Sequence, residues 1–564
     1  TYTSVQDNFN IDWRIIPALR LQGRFSYTRQ FDRRDLFKSP ESLDYSTETD
    51  PKKKGSYYLV NSRSDRFDGN LTLAYNKTID KHMLNVGVGS NIMQSETEGE
   101  SFTGVGFINP DMIFIGAANA FQENTSPQGT YDKSRLVGFF TNVNYGYGNR
   151  YFLDFSFRSD GSSKFGRNSR FAPFWSLGVA WNVHNESFWH AHEKNALKLR
   201  ASVGSTGTTN FSSTQALTTY LYDFSREYNG NFGVSLAGYG NSSLKWQTTL
   251  SYNVGVDFTF LHGLVVFNGD FYIKNTRSLL LPVTVAPSTG FIDYVENIGK
   301  LRNTGVEARL RFNLIQDAVK DLRWNVTLSA FHNRSKITQL SNQLETINQY
   351  ANDDRANQGT VVYRQFEAGR SQTALMVVRS GGIDPATGNE IYIKRNGEMT
   401  FEYNHNDKIE CGDMKPKIEG NVNTNLNWKG FNLYMLFKYQ YGGKIYNATL
   451  ASKVEGANPL KNADKRVLYD RWKEPGDHAK FRRIDDTSAP YQTTRLVFDN
   501  NLLALQSVSL SYELPRKISQ KMYMERVKLL LSSTDLFRLS SVKQERGTSY
   551  PFARTFSIGL NVTF

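Results

Sequence analysis

The chain has 564 residues, a formal net charge of +13, 13% aromatic residues and one cysteine, Cys411, a length that fits several soluble domains or one very large barrel. A single cysteine excludes an internal disulfide and a cysteine-based metal cluster, and no apolar run reaches the roughly 18 residues of a membrane helix. The positive balance favours anionic surroundings such as lipopolysaccharide phosphates or an acidic solute, but Lys and Arg are spread without clustering, so nucleic acid is not an expected partner.

Period-2 alternation, the signature of a strand with one apolar and one polar face, starts early. In 19–28, Leu19, Leu21, Phe25 and Tyr27 share one face, and Arg20, Gln22, Arg24, Ser26 and Thr28 share the other. Tyr151, Leu153, Phe155 and Phe157 oppose Asp154, Ser156 and Arg158. Leu197, Leu199, Ala201 and Val203 oppose Lys198, Arg200 and Ser202, and Val306, Ala308, Leu310 and Phe312 oppose Glu307, Arg309, Arg311 and Asn313. The chain closes on Phe556, Ile558, Leu560, Val562 and Phe564, alternating with small or polar residues. A terminal strand of this kind is expected to pair with the first strand and close a cylinder.

About 16 or 17 such segments occur, many about ten residues or longer, which suits a membrane barrel better than a sandwich. The fold expected is all-β, a transmembrane antiparallel β-barrel. Tight-turn chemistry stands at Gly148-Asn149, Leu261-His262-Gly263 and Lys429-Gly430. Long polar connections are expected at about 98–133, 205–243, 337–414 and 441–499, without helical periodicity of useful length. Short turns at one rim and long loops at the other follow the outer-membrane pattern. Binding then belongs to the long-loop end and the lumen. No linker, repeat or low-complexity tract divides residues 1–564, so one domain is expected.

Site candidates follow from these faces. Arg20, Arg24, Arg158, Arg200, Arg309 and Arg311 are expected to face the lumen. Tyr220, Tyr222, Tyr228, Phe232 and Tyr239 lie in a long connection, where they could stack on sugar rings or pack against a cap. No catalytic constellation, cofactor site or metal site is expected. His190 and His192 have only Glu193 beside them, short of a zinc ligand set. The 384–389 stretch lacks the spaced acids and distal Glu of an EF-hand, and reads as a turn started by Pro385. Gly204–Thr209 follows a strand but lacks the Lys and the helix of a P-loop. Asp160-Gly161-Ser162-Ser163 likewise reads as a tight turn, since a nucleophile elbow requires Gly-x-Ser-x-Gly.

Several segments together resemble the SusC/RagA-like branch of TonB-dependent outer-membrane transporters from Bacteroidetes. They are YFLDFSFRSDGSSKF (151–165), LKLRASVGSTGTTN (197–210), LKWQTTLSYNVGVDF (244–258), NIGKLRNTGV (297–306), GIDPATG (382–388), WKGFNLYMLFKYQYGGKIYN (428–447) and YPFARTFSIGLNVTF (550–564). The resemblance implies a 22-stranded barrel in a Gram-negative outer membrane, of which this chain is most of the wall. It also implies a plug and first strands that are absent from this chain, which is therefore expected to be incomplete at its N-terminal side. The implied function is TonB-driven import of an oligosaccharide or peptide beneath a SusD-like surface lipoprotein. The alternative is a non-transporting structural subunit of an outer-membrane assembly or secretion complex.

Overall fold

The computed structural model describes residues 1–123, 125, 127–190, 194–209, 215–229, 231–284, 293–340, 367–457, 463–486, 488, 490–543 and 554–564. Eighteen strands belong to the principal sheet, one or two more than the alternation suggests. The chain divides into two compact units. One comprises 1–179, 202–250 and 277–298; the other comprises 180–201, 251–276 and 299–564.

In the first unit, antiparallel ladders join Tyr2–Ile16, Leu19–Lys38, Ser56–Ile79, His82–Val105, Gln128–Tyr147 and Tyr151–Ser162 in chain order. Pairing is unbroken over the 24 residues of Ser56–Ile79 and His82–Val105. Those strands are more than twice the roughly 9–11 residues that cross a bilayer. This corrects the long connection expected at about 98–133: strand runs to Val105, Ala120–Phe121 pairs back onto its end, and the next long strand starts at Gln128. Glu96, Glu98 and Glu100 look like loop residues, yet all three sit on ladders, and two are neutralised by neighbours, Lys133 on Glu96 at 2.6 Å and Arg63 on Glu98 at 3.1 Å.

In the second unit, the order is Lys300–Asp317, Leu322–Gln339, Ile418–Trp428, Phe431–Tyr441, Leu502–Glu513, Arg526–Ser540 and Thr555–Thr563. Within each unit, short turns and long connections alternate along the antiparallel order, so the turns gather at one end of the ladder and the loops at the other. The turns form where expected. Gly148 and Asn149 take left-handed φ of 56° and 55° in the three-residue turn between Tyr147 and Tyr151, and Lys429 and Gly430, at 46° and 87°, make the two-residue hairpin between Trp428 and Phe431.

The long connections are less featureless than their polarity suggests. Residues 219–238 form a hairpin of Thr219–Tyr228 and Asn231–Gly238. The connection after Gln339 carries a four-stranded sheet of Ala374–Ile383, Glu390–Ile393, Met399–Thr400 and Lys408–Asp413. Leu375, Met376, Val377 and Val378 are at most 1% exposed, an uninterrupted apolar run as expected for a strand covered on both faces.

Candidate functional site

Polar residues converge at three places, each built within one unit. The first is the polar face of the first unit. Two cross-strand rows run over its six strands: Asp12, Gln22, Thr72, Gly89, Phe140, Arg158, and Asn10, Arg24, Asn70, Asn91, Gly138, Asp160. Both rows carry charge. Arg20 ion-pairs with Asp12. Arg158 lies 2.6 Å from Asp160 and donates to Asn91 Oδ1 at 2.5 Å. Gly138 makes this cluster possible, because a Cβ there would stand 2.2 Å from Asp160 Oδ1 and 2.6 Å from Arg158 Nη2. The second unit repeats the device. Arg200 bridges Asp257 at 2.8 Å and Asp270 at 3.2 Å, over Gly255, where a Cβ would meet Asp270 at 2.5 Å. Arg24, Arg309 and Arg311 have no carboxylate partner among the described residues.

The polar face over the six strands from Leu322–Gln339 to Thr555–Thr563 is different. One row reads Asn325, Asn425, Tyr434, Ser509, Ser532, Ser557 across six strands, and the next reads Thr327, Asn423, Leu436, Ser507, Thr534, Thr555. Neither carries a charge. Asn432 donates to Asn425 Oδ1 at 2.9 Å and Asn427 to the same oxygen at 3.0 Å, so part of this face is a self-bonded amide patch.

The second place, in the first unit's loops, explains four of the sequence motifs. Phe165 (from DGSSKF) stacks on Trp246 (from LKWQ) at 4.6 Å, and Phe174 meets the indole edge-on at 5.3 Å. Trp246 Nε1 donates to Arg170 O at 3.0 Å. Gly207 (from GSTGTT) leaves room for the Phe174 ring, which a Cβ would meet at 2.2 Å, so that glycine is occupied by aromatic packing and not by a phosphate. Asn297 (from NIGK) accepts from Lys245 N at 2.7 Å and donates to Lys245 O at 2.8 Å and Ser278 O at 3.1 Å. Motifs up to about 130 residues apart thus secure one loop cluster.

The third place joins the two longest connections of the second unit. Leu375, Val377, Tyr446, Ala451, Val454, Phe481 and Leu496 form a shared core. Beside it, Arg495 binds Glu390 at 3.0 Å and Glu455 at 2.6 Å, and both carboxylate side chains are fully buried. Arg482 adds a 2.9 Å bond to Glu455 and a 2.6 Å bond to Asp486. Thr493 Oγ1 donates to Glu390 at 2.7 Å. Burial alone would drive the Arg495 guanidinium toward neutrality, but the two carboxylates outweigh it and hold its pKa above the usual value. Burial lowers the pKa of Lys408. Tyr403 and Tyr491 stack at 4.1 Å against Tyr392.

GIDPATG is the bracket of this module. Asp384 takes hydrogen bonds from Thr387 Oγ1 at 2.6 Å, Thr387 N at 3.1 Å and Ala386 N at 3.3 Å, which lowers its pKa. The carboxylate thus closes a local turn. Pro385 O accepts from Trp472 Nε1 at 2.9 Å and Gly476 N at 2.8 Å, and Gly388, at φ 72°, lies under the Trp472 ring, where a Cβ would come within 2.6 Å.

The other sequence candidates fall as follows. Tyr220 and Tyr239 are exposed, with Tyr239 edge-on to Tyr294 at 5.9 Å. The side chains of Tyr222, Tyr228 and Phe232 lie outside the described residues, as do His192 and Glu193. His190 Nδ1 stands 2.7 Å from Phe188 O. Cys411 donates its thiol to Leu375 O at 3.4 Å, and burial raises its pKa. Phe556, Ile558, Leu560 and Phe564 are exposed on the apolar face of the last strand, which pairs with Arg526–Ser540.

A family model described as TonB dependent receptor-like, beta-barrel, matches residues 1–372. The chain belongs to this family. It is a β-barrel chain of the outer membrane. TonB-dependent receptor P3 of Formosa agariphila is 26% identical over 536 residues, covering 87% of this chain and 52% of that protein. TonB-dependent receptor SusC of Bacteroides thetaiotaomicron is 27% identical over 333 residues, covering 57% of this chain and 32% of that one. Among solved structures, the RagAB peptide transporter superposes with a TM-score of 0.85 at 22% identity, over 100% of this chain and 62% of that chain. The likeness to RagAB bears on the fold. The chain spans about half the length of the first curated relative, and about a third of SusC.

Proposed function

We propose that this chain is most of the wall of a TonB-dependent importer of an oligomeric nutrient, oligosaccharide or peptide, working with a SusD-like surface lipoprotein. The observation that carries the reading is the contrast between the two ends of each ladder. One end closes in tight turns, apart from a connection carrying the short helix Arg516–Lys521, while the other bears loops with buried cores of their own, anchored by Trp246 in one unit and by Arg495 in the other. Loops built to that standard suit capture and docking, because a rigid scaffold positions them. TonB would act through a plug outside this chain, and the apolar outer face would meet lipid and lipopolysaccharide.

In this reading the polar faces line the lumen and the strand ending in Phe564 closes the cylinder. Arg20, Arg158 and Arg200 brace the wall, since each is spent on a carboxylate. Arg24, Arg309 and Arg311 are the lumen arginines left for solute or plug, and Tyr220 and Tyr239 offer rings at the loop end. No catalysis is assigned to the chain.

The test is uptake of labelled oligosaccharide and peptide pools by cells with and without the full-length protein. Uptake of one pool should vanish on deletion, return on complementation and stop with a protonophore, and a surface lipoprotein should co-purify. Unchanged uptake of every pool would sink the importer reading and favour a structural subunit.

A further inference from the structure

One part of the second unit's polar face differs electrically from the face of the first unit. Every cross-strand row described on the first unit's polar face contains a charged side chain, and each charge in the Arg158 cluster is packed over Gly138. In the second unit, the rows through Asn425 and Asn423 cross six strands without one. Charge borders this patch at its margins: Arg323 and Lys528 at one end, Glu419 and Lys438 at the other, and Arg311, opposite Thr327, along the side of Lys300–Asp317. Asn, Ser, Thr and Tyr side chains both donate and accept, so the patch meets hydroxyl or amide groups in either sense.

We propose that this uncharged patch is the surface along which solute travels, and that it fits an uncharged stretch of oligomer bearing hydroxyl or amide groups. The proposal rests on the importer reading above. Passage needs contacts strong enough to admit a solute and weak enough to release it. A hydrogen bond between neutral groups is roughly half as strong as one to an ionised group, so a ladder of neutral groups can be exchanged one at a time. The paired arginines of the first unit cannot serve in that way: moving Arg158 onto a solute would strand Asp160, which is 9% exposed. The patch is passage, and the paired charges of Arg20 and Arg158 are bracing.

Thiol labelling of the full-length protein in cells separates the possibilities. On a Cys411→Ser background, Asn423→Cys and Ser532→Cys report on the uncharged patch, and Asn70→Cys and Ser156→Cys report on the first unit's face. The probe is a maleimide carrying a neutral sugar, applied to respiring cells and to cells treated with a protonophore. Respiration should accelerate labelling at Asn423→Cys and Ser532→Cys on the order of tenfold, as for a surface passing from covered to open, and leave the other two positions unchanged. A gain at Asn70→Cys or Ser156→Cys as large as at the patch overturns the passage assignment while importing stands. Equal labelling in both states at all four positions removes the importer reading with it. A maleimide bearing a carboxylate should gain less than the neutral probe at the patch, and equal gains would overturn the assignment to an uncharged solute.

Discussion

Replacing Arg495 by leucine removes the 3.0 and 2.6 Å bonds to Glu390 and Glu455 and a 2.8 Å bond to Lys480 O. Two carboxylates that are fully buried then lose a shared cation. Breaking a buried pair on one side costs about 3–5 kcal/mol, because the remaining charge stays out of water. The low end applies here: Arg482 still holds Glu455 at 2.9 Å, and Thr493 still donates to Glu390 at 2.7 Å. About 3 kcal/mol is about a hundredfold in an equilibrium constant. That change falls on local opening of the loop module, leaving the strand ladders intact. Hydrogen exchange at Val378, whose amide donates to Gln492 O at 3.1 Å and so ties the two connections, reads it directly. Arg483→Leu is the control, since its partner Asp485 is exposed and a surface pair contributes at most about 1 kcal/mol. Glu390→Met together with Arg495→Leu should recover part of the loss. Exchange accelerated less than tenfold in Arg495→Leu, or equally in Arg483→Leu, would refute the claim that this pair locks the loops.

Gly138→Ala places a methyl 2.2 Å from Asp160 Oδ1 and should lower the barrel's melting temperature by the equivalent of about 1–3 kcal/mol, whereas Gly129→Ala, with nothing within 4 Å, should be silent. Leu510→Arg and Ser509→Arg are neighbours on opposite faces of Leu502–Glu513. The first puts a charge on the lipid face and should reduce the folded fraction on heat-modifiable gels, while the second inserts normally; the reverse result would invert the assignment of faces. The Asp384 turn should answer only to acid. Its carboxyl is lowered below the ordinary value of 3.8 by the Thr387 hydroxyl, so its contribution is complete above that value and is lost as pH falls through the lower, folded one. Proteolysis of the Ile383–Asn389 turn should therefore be flat from pH 8 to about 5 and rise only below about 4, a step that Asp384→Asn should remove.

Strand faces were legible because a period of two is local: Arg158 and Phe157 declare opposite sides from five residues of context. Turns at Gly148 and Lys429 were legible for the same reason. The limits of 98–133 were not, since Glu96, Glu98 and Glu100 look solvated until Lys133 and Arg63 are known to lie opposite. The buried network could not be read at all. Glu390 and Arg495 are 105 residues apart, and nothing near either one marks it as buried. The one local signal of that core is the Ala374–Val378 stretch, an unbroken apolar run inside an otherwise polar connection. The motifs LKW, GSTGTT, DGSSKF and NIGK were visible as words, but their meeting at Trp246 and Asn297 is a property of the folded loops.

The clamp between the two longest connections also sets the grain at which this surface can be exchanged. A recombinant receiving 442–501 from a relative would import Arg495 and Trp472 without their matched Glu390, Pro385 and Gly388. Half-transplants would keep Arg495 on Glu455 but part it from Glu390, and would leave the Trp472 indole without Pro385 O. Variation here should therefore be inherited as a block of both connections, and chimeras that respect that seam are the ones expected to reach the cell surface.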